Sequence, residues 1–218
     1  MATSNYLMNQ LVFKFPFKIK YYEQDFYVSS NNFLAYRLIE SWPNWPDKFI
    51  NIFGPKGCGK THLSNILKKK IKLVKILDAK LVNDSTISMV KDIDCLIIDN
   101  YQKNMNEKIF YTLLNQLKQL DKYFVINSYT PIKNDDYRLN DLKSRARGLV
   151  NLGIELPTDD LLRVIITKSF SDKQIKITPK ISEYIIKNIE RSYEKIFKFI
   201  KEIDELSLSS GKSININL

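Results

Sequence analysis

The chain has 218 residues, enough to bury one good core plus a small appendage, and its 44% hydrophobic content supplies that core. Lys and Arg outnumber Asp and Glu by 34 to 24, a formal net charge of +10 that fits contact with DNA or its associated machinery. The excess runs through a chain rich in Lys, Ile and Asn everywhere, so a plain compositional bias accounts for it equally well. No apolar run approaches the roughly 20 residues needed to span a bilayer, and the N-terminus lacks the basic-then-apolar layout of a secretion signal; the expected compartment is the cytoplasm.

Taken in chain order, Phe49–Phe53 reads as a buried strand. It runs directly into Gly54-Pro55-Lys56-Gly57-Cys58-Gly59-Lys60-Thr61, a complete G-x4-G-K-[ST] loop, and Thr61 to Leu67 then has the spacing of an amphipathic helix. Strand, loop and helix together specify how a polyphosphate would be held. The glycines allow backbone angles that turn successive N–H groups toward phosphate oxygens, and the helix start adds a partial positive charge of roughly half a proton. Lys60 is placed to bridge the outer phosphates, and the Thr61 hydroxyl to ligate magnesium. His62 follows in the first helical turn; as the only histidine of the chain it offers nothing for histidine-based catalysis or metal binding to build on.

Val74–Leu77 is a second strand candidate. Asp94–Asp99 is a third, an apolar run ending in a carboxylate of the kind that a neighbouring parallel strand delivers to a bound magnesium, so Asp99 is the metal-site acid. The next residue is Asn100, whose amide is a poor general base, and slow hydrolysis or none unaided follows. Ile109, Phe110, Leu113, Leu114, Leu117 and Leu120 share a helical face. Tyr123–Ile126 precedes Asn127 as a fourth strand, and a fifth is expected at Leu149–Leu156, closed by Pro157. Alternating strands and helices imply a parallel sheet. Beyond Pro157 the period changes to helices alone, at Leu161–Phe170, Lys180–Asn188 and Arg191–Ser207. The predicted organisation is a tail over 1–20, an α/β P-loop body with a parallel sheet flanked by helices over 21–157, and a small all-helical lid over 158–218. Cys58 and Cys95 imply neither a disulfide framework nor a zinc site and read as small packing residues.

Across nearly its whole length the pattern resembles the AAA+ proteins of the DnaA/Hda family. The residues that carry the likeness are Asp25-Phe26-Tyr27-Val28 followed by Asn32 to Ala35, the pair Trp42-Pro43 and Trp45-Pro46, the loop Gly54–Thr61 running into His62 and Leu63, and Leu142-Lys143-Ser144-Arg145 with Gly148-Leu149. The two Trp-Pro pairs, the Asp99-Asn100 ending and the stretch Ile203 to Leu208 look like the family's regulators of initiation rather than its initiators. The resemblance implies nucleotide contacts from Phe26, Tyr27, Val28 and Asn32 around adenine, from Gly54 through His62 around phosphates, and from Arg191 as a lid arginine. It places Asn127 where a sensing polar residue is expected, with an ordinary strand-end cap as the alternative. An ion pair of Arg191 with Glu190 or Glu194 is the rival for that residue. Arg145 occupies the position of a finger that acts on nucleotide held by a neighbouring subunit, against the bland reading of a solvated basic run with Lys143 and Arg147. Trp42 and Trp45 read as packing anchors.

The tail residues Gln10, Leu11, Phe13 and Phe15 resemble the short peptide with which such regulators dock on the DNA polymerase sliding clamp, although Lys14 stands where proline is common. What the family implies is negative regulation of replication initiation: ADP or ATP and Mg2+ as cofactors, the DnaA initiator and the clamp as partners with a homo-oligomer among the assemblies, no membrane, DNA contact indirect or non-specific, and promoted hydrolysis of DnaA-bound ATP. The chain reaches Leu218 where an initiator's helix-turn-helix domain would begin, so sequence-specific origin binding is not expected. Two other classes stay open: a self-contained ATPase acting as helicase loader or remodelling factor, and a nucleotide-stabilised adaptor that tethers partners without touching their chemistry.

Overall fold

The computed structural model describes residues 26–173, 175 and 177–210. Gln10, Leu11, Phe13 and Phe15 of the expected clamp peptide lie outside the described residues. The described residues divide into two compact units, one ending at Leu156 and the other beginning at Pro157.

The first unit is built on five parallel strands, β1 (Phe49–Phe53), β2 (Val74–Asp78), β3 (Cys95–Tyr101), β4 (Tyr123–Ser128) and β5 (Val150–Gly153), in the order β2-β3-β4-β1-β5. Central β1, β3 and β4 read as almost continuous apolar runs because helices cover both faces, as parallel sheets require. The helices of this unit are α1 (Phe33–Glu40), α2 (Lys60–Lys70), α3 (Asp84–Met89), α4 (Glu107–Gln119) and α5 (Asn140–Arg147). Asn83 caps α3, and Asn106 caps α4 through the amides of Lys108 and Ile109. Phe110, Leu113, Leu114 and Leu117 of α4 are buried against Leu96, Ile98, Phe124 and Ile126 of the sheet. Leu120 does not join that face: it follows the helix end and is exposed.

The second unit packs α6 (Asp159–Asp172), α7 (Pro179–Asn188) and α8 (Tyr193–Ser210) around Leu162, Ile166, Phe170, Ile185, Ile186, Ile196 and Ile200. Thr158 and Thr178 cap α6 and α7, and Pro179 takes the first position of α7, where its missing N–H costs nothing.

Two differences from the sequence expectations have physical causes, and the reading of Trp42 and Trp45 as packing anchors agrees with the structure. The fifth strand stops at Gly153 rather than Leu156. After Ile154 N bonds Phe53 O at 2.8 Å, Glu155 N turns to Asn31 O at 3.1 Å and the Asn31 amide donates to Leu156 O at 3.0 Å, so the chain leaves the sheet for the segment before α1. Helices α1 and α5 escape periodicity because each buries only two residues, Ala35 and Ile39 in α1 and Leu142 and Ala146 in α5. Trp42 and Trp45 are half-buried packing residues that meet Tyr123 edge-on, with ring centroids 4.2 and 5.7 Å away, and the Trp45 indole donates to Leu38 O at 2.7 Å.

Candidate functional site

The loop Gly54–Gly59 leaves the C-terminal end of β1 and enters α2, whose first turn has no side-chain cap. Uncapped N–H groups and the helix dipole make this end of α2 a receptor for anions. Gly59 sits at φ +101°, a left-handed conformation that disfavours any side chain, and a Cβ there would stand 2.7 Å from the Phe26 ring. A Cβ on Gly54 would stand 2.5 Å from Ile154 O. The Lys60 ammonium folds over the loop, donating to Gly54 O at 2.7 Å and Pro55 O at 2.9 Å. Cys58 is buried beneath it; burial pushes the thiol up, and the Lys60 charge acts in the opposite direction.

Two residues before the end of β3, which runs on past the expected limit at Asp99 to Tyr101, the Asp99 carboxylate gathers three donors. Thr61 Oγ1 donates to Oδ2 at 2.7 Å, while Asn127 Nδ2 and Asn100 N donate to Oδ1, both at 3.0 Å. Asn127 also donates to Ser64 Oγ at 2.8 Å. It lies within β4 and is wholly buried, so it is no strand-end cap. Its own Oδ1 is buried without a hydrogen-bond partner among the described residues. Such an atom costs about 1–3 kcal/mol unless a donor completes it. A hydroxyl and a carboxylate brought together at the mouth of a phosphate-type loop fit a magnesium ion, a hard cation that takes oxygen ligands and draws the rest from phosphate and water.

The side chain of Asn100 is turned away from this cluster. It adopts φ +56°, and its amide donates to the Asp78 carboxylate at the end of β2 at 2.8 Å. That bond, with the Lys80 amide, holds the Asp78 carboxyl below its ordinary value.

Phe26 roofs the loop, stacked on Tyr36 at 5.7 Å and edge-on to His62 at 5.4 Å. Tyr27 is half exposed, and Asn32 fixes the turn by donating to Tyr27 O at 2.9 Å and accepting from Ser29 N. Phe26, Asn32, the loop, His62, Thr61, Asp99 and Asn127 therefore assemble in the first unit. Lys56 and Val28 lie on the same segments.

Arg145 is elsewhere. With Lys118 it lines a cleft of about 790 Å³ bounded by Lys48, Phe49, Lys122, Tyr123 and Leu149, residues at the N-terminal ends of β1, β4 and β5. The phosphate loop leaves the opposite end of β1. Five residues of strand separate the two ends by roughly 16 Å, more than an arginine side chain spans. Among the described residues, no carboxylate lies within ion-pair distance of Arg145. Arg191, in the second unit, donates to Asp159 Oδ2 at 3.0 Å, so Asp159 is an ion-pair partner of it, while Glu190 faces Lys195 at 3.9 Å.

Ser64 and Asn51 were not anticipated. Wholly buried Asn51 in β1 donates to Ile126 O at 3.0 Å and Ser128 Oγ at 2.8 Å, and accepts from Ile132 N at 3.0 Å, fastening the turn after β4. A lone amide inside the apolar run Phe49–Phe53 was the available signal.

Sheet order, phosphate loop and strand-end acid define the α/β P-loop body of the AAA+ class. No protein-family model matches the chain. The replication initiator DnaA of Nautilia profundicola is 25% identical over 216 residues, 89% of this chain and 50% of that protein. Domain III of Thermotoga maritima DnaA superposes with a TM-score of 0.76 at 18% identity, covering 93% of this chain and 95% of that one. AMPPCP-bound DnaA from Aquifex aeolicus gives 0.70 at 25% identity, covering 89% and 68%. Within the AAA+ class, the chain is related to the DnaA replication initiators; it spans about half the length of the curated relatives it matches.

Proposed function

We propose that this chain is an Hda-like negative regulator of replication initiation: it binds an adenine nucleotide with Mg2+ and promotes hydrolysis of ATP held by DnaA, supplying Arg145 from outside. The observation that carries the reading is the separation within the sheet. Asp99, Thr61, Lys60 and the loop amides gather at the strands' C-terminal ends, whereas Arg145 stands in a cleft at the N-terminal ends. A guanidinium so placed cannot serve its own loop, and among the described residues no carboxylate lies within ion-pair distance of it, although Asp121 and Asp141 line the same cleft. It suits a triphosphate bound by another protein, where such fingers raise rates by about 10³–10⁵.

The chain's own nucleotide is assigned a structural part. Gly54 through Lys60 take the phosphates, Thr61 and Asp99 the metal, Asn127 the vicinity of the outer phosphate, and the Phe26–Asn32 segment the base. Pro55, Lys56, Cys58 and His62 belong to the same cradle, and Arg191 is assigned to it as the lid arginine. Asn100 leaves the site without a second carboxylate, which supports a long-lived bound nucleotide. Gln10, Leu11, Phe13 and Phe15 tether the regulator to the sliding clamp and raise its effective concentration near DNA-bound initiator. The test measures DnaA-ATP turnover with clamp-loaded DNA and the Arg145→Ala protein. Stimulation should fall at least 100-fold with nucleotide binding by the regulator intact, and undiminished stimulation removes the finger from the account.

A further inference from the structure

The helix that presents Arg145 begins without a cap of its own. Leu139 precedes Asn140 at the start of α5 and its side chain accepts nothing. The backbone just ahead of the helix is held from another one. Glu107, in the first turn of α4, accepts from Arg138 N through Oε1 at 3.1 Å and from Leu139 N through Oε2 at 2.9 Å. Both oxygens of one carboxylate are committed to the two peptide groups from which α5 departs. Glu107 is itself well founded, because Asn106 caps α4 and Phe110, Leu113 and Leu114 bury that helix in the core.

Upstream, the connection from β4 is pinned at Ile132 by Asn51 and at Asp135 by the Tyr101 hydroxyl at 3.1 Å and the Lys103 ammonium at 3.3 Å. Glu107 is the last fixing point before the helix. Arg145 lies in the second turn of α5, so a tilt of about 5° at the start, acting over roughly 10 Å of helix and side chain, shifts the guanidinium by about 1 Å. Displacements of that size can cost about 100-fold in rate when a charged group must meet a transferring phosphoryl group.

We propose that Glu107 is a positioning residue for Arg145: its bidentate hold on the Arg138 and Leu139 amides aims α5 and so places the finger. The inference rests on Arg145 acting on nucleotide bound by a partner. It is tested with full-length Glu107→Ala, Glu107→Gln and Arg145→Ala proteins, measuring the maximal rate of DnaA-ATP hydrolysis, the regulator concentration at half-maximal rate, the regulator's own ADP affinity, and amide exchange over residues 138–147. Glu107→Ala should lower the maximal rate about tenfold or more, and Glu107→Gln, which keeps one acceptor, about threefold. In both, ADP affinity and the half-maximal concentration should stay within twofold while exchange at Arg138 and Leu139 quickens.

If Arg145→Ala abolishes stimulation but both Glu107 variants reach the wild-type maximal rate, the positioning role is overturned and the finger stands. If Arg145→Ala has no effect, the finger falls and the positioning role falls with it. ADP affinity lost in step with rate means a general folding role and also overturns the proposal. Should Glu107→Ala fail to fold, the isosteric Glu107→Gln protein decides by the same criteria.

Discussion

Asp99 combines two duties that one atom exchange should separate. Replacing it with alanine removes the acceptor for Thr61 Oγ1, Asn127 Nδ2 and Asn100 N together, at 2.7, 3.0 and 3.0 Å. Asn127 is wholly buried and cannot turn to water. With a buried unsatisfied donor costing about 1–3 kcal/mol and the other two bonds smaller sums, Asp99→Ala should destabilise the nucleotide-free protein by about 3 kcal/mol. At roughly 3 °C per kcal/mol for a chain of this size, Tm should fall by about 9 °C. Asp99→Asn differs in kind. Its carbonyl oxygen can keep Oδ1's two donors, and its NH2 can donate to Thr61 Oγ1, a hydroxyl that accepts as readily as it donates. Stability should change by less than about 1 kcal/mol. The proposed metal site loses its charge, however, and magnesium should no longer tighten ADP binding, an effect expected at about tenfold or 1.4 kcal/mol in the unaltered protein. Thermal unfolding without nucleotide, and ADP titrations in magnesium and in EDTA, separate the two. An Asp99→Asn protein that melts with Asp99→Ala, or that keeps the full magnesium enhancement, refutes the reasoning.

Asn51→Ala should cost about 3 kcal/mol in urea unfolding, since it strips three hydrogen bonds and orphans the buried Ile132 amide; a loss below about 1 kcal/mol contradicts the pinning role of Asn51. Asp78 titrates below its ordinary value when folded, chiefly through the Asn100 amide, so its contribution to stability is complete above the unfolded value of about 3.9 and is lost as pH falls through the folded pKa. Asn100→Ala should lift the Asp78 titration toward that ordinary value in a carboxyl-carbon NMR experiment, and an unmoved curve counts against the strut.

The body of the fold was legible because its signals are local. The apolar runs at β1, β3 and β4 mark buried parallel strands, and the loop Gly54–Thr61 states its own geometry through glycine spacing. Asp99 was legible as an acid closing an apolar strand. The partnership of Asn127 with Ser64 was not, because it joins residues 63 apart in sequence through a strand adjacency that no local period encodes. The same holds for Asn100, whose amide is spent on Asp78 across a strand pair rather than on the loop. Helix α5 was hidden for a third reason: it has no side-chain cap, the two peptide groups ahead of it are held by a carboxylate 31 and 32 residues upstream, and its two buried residues leave no pattern in Asn140–Arg147.

The sheet gives the first unit a direction. A body with an anion receptor at one rim and, at the other, a cation outside any ion pair among the described residues is a socket and a plug on the same piece. On the proposed reading, contacts between such bodies would join unlike faces and so propagate head to tail into rings or helical filaments instead of closing as a two-fold pair. If the unit offers its plug to a different protein's socket, as proposed, it would occupy the terminal position of such a row, and its own socket would hold a nucleotide that no neighbour cleaves.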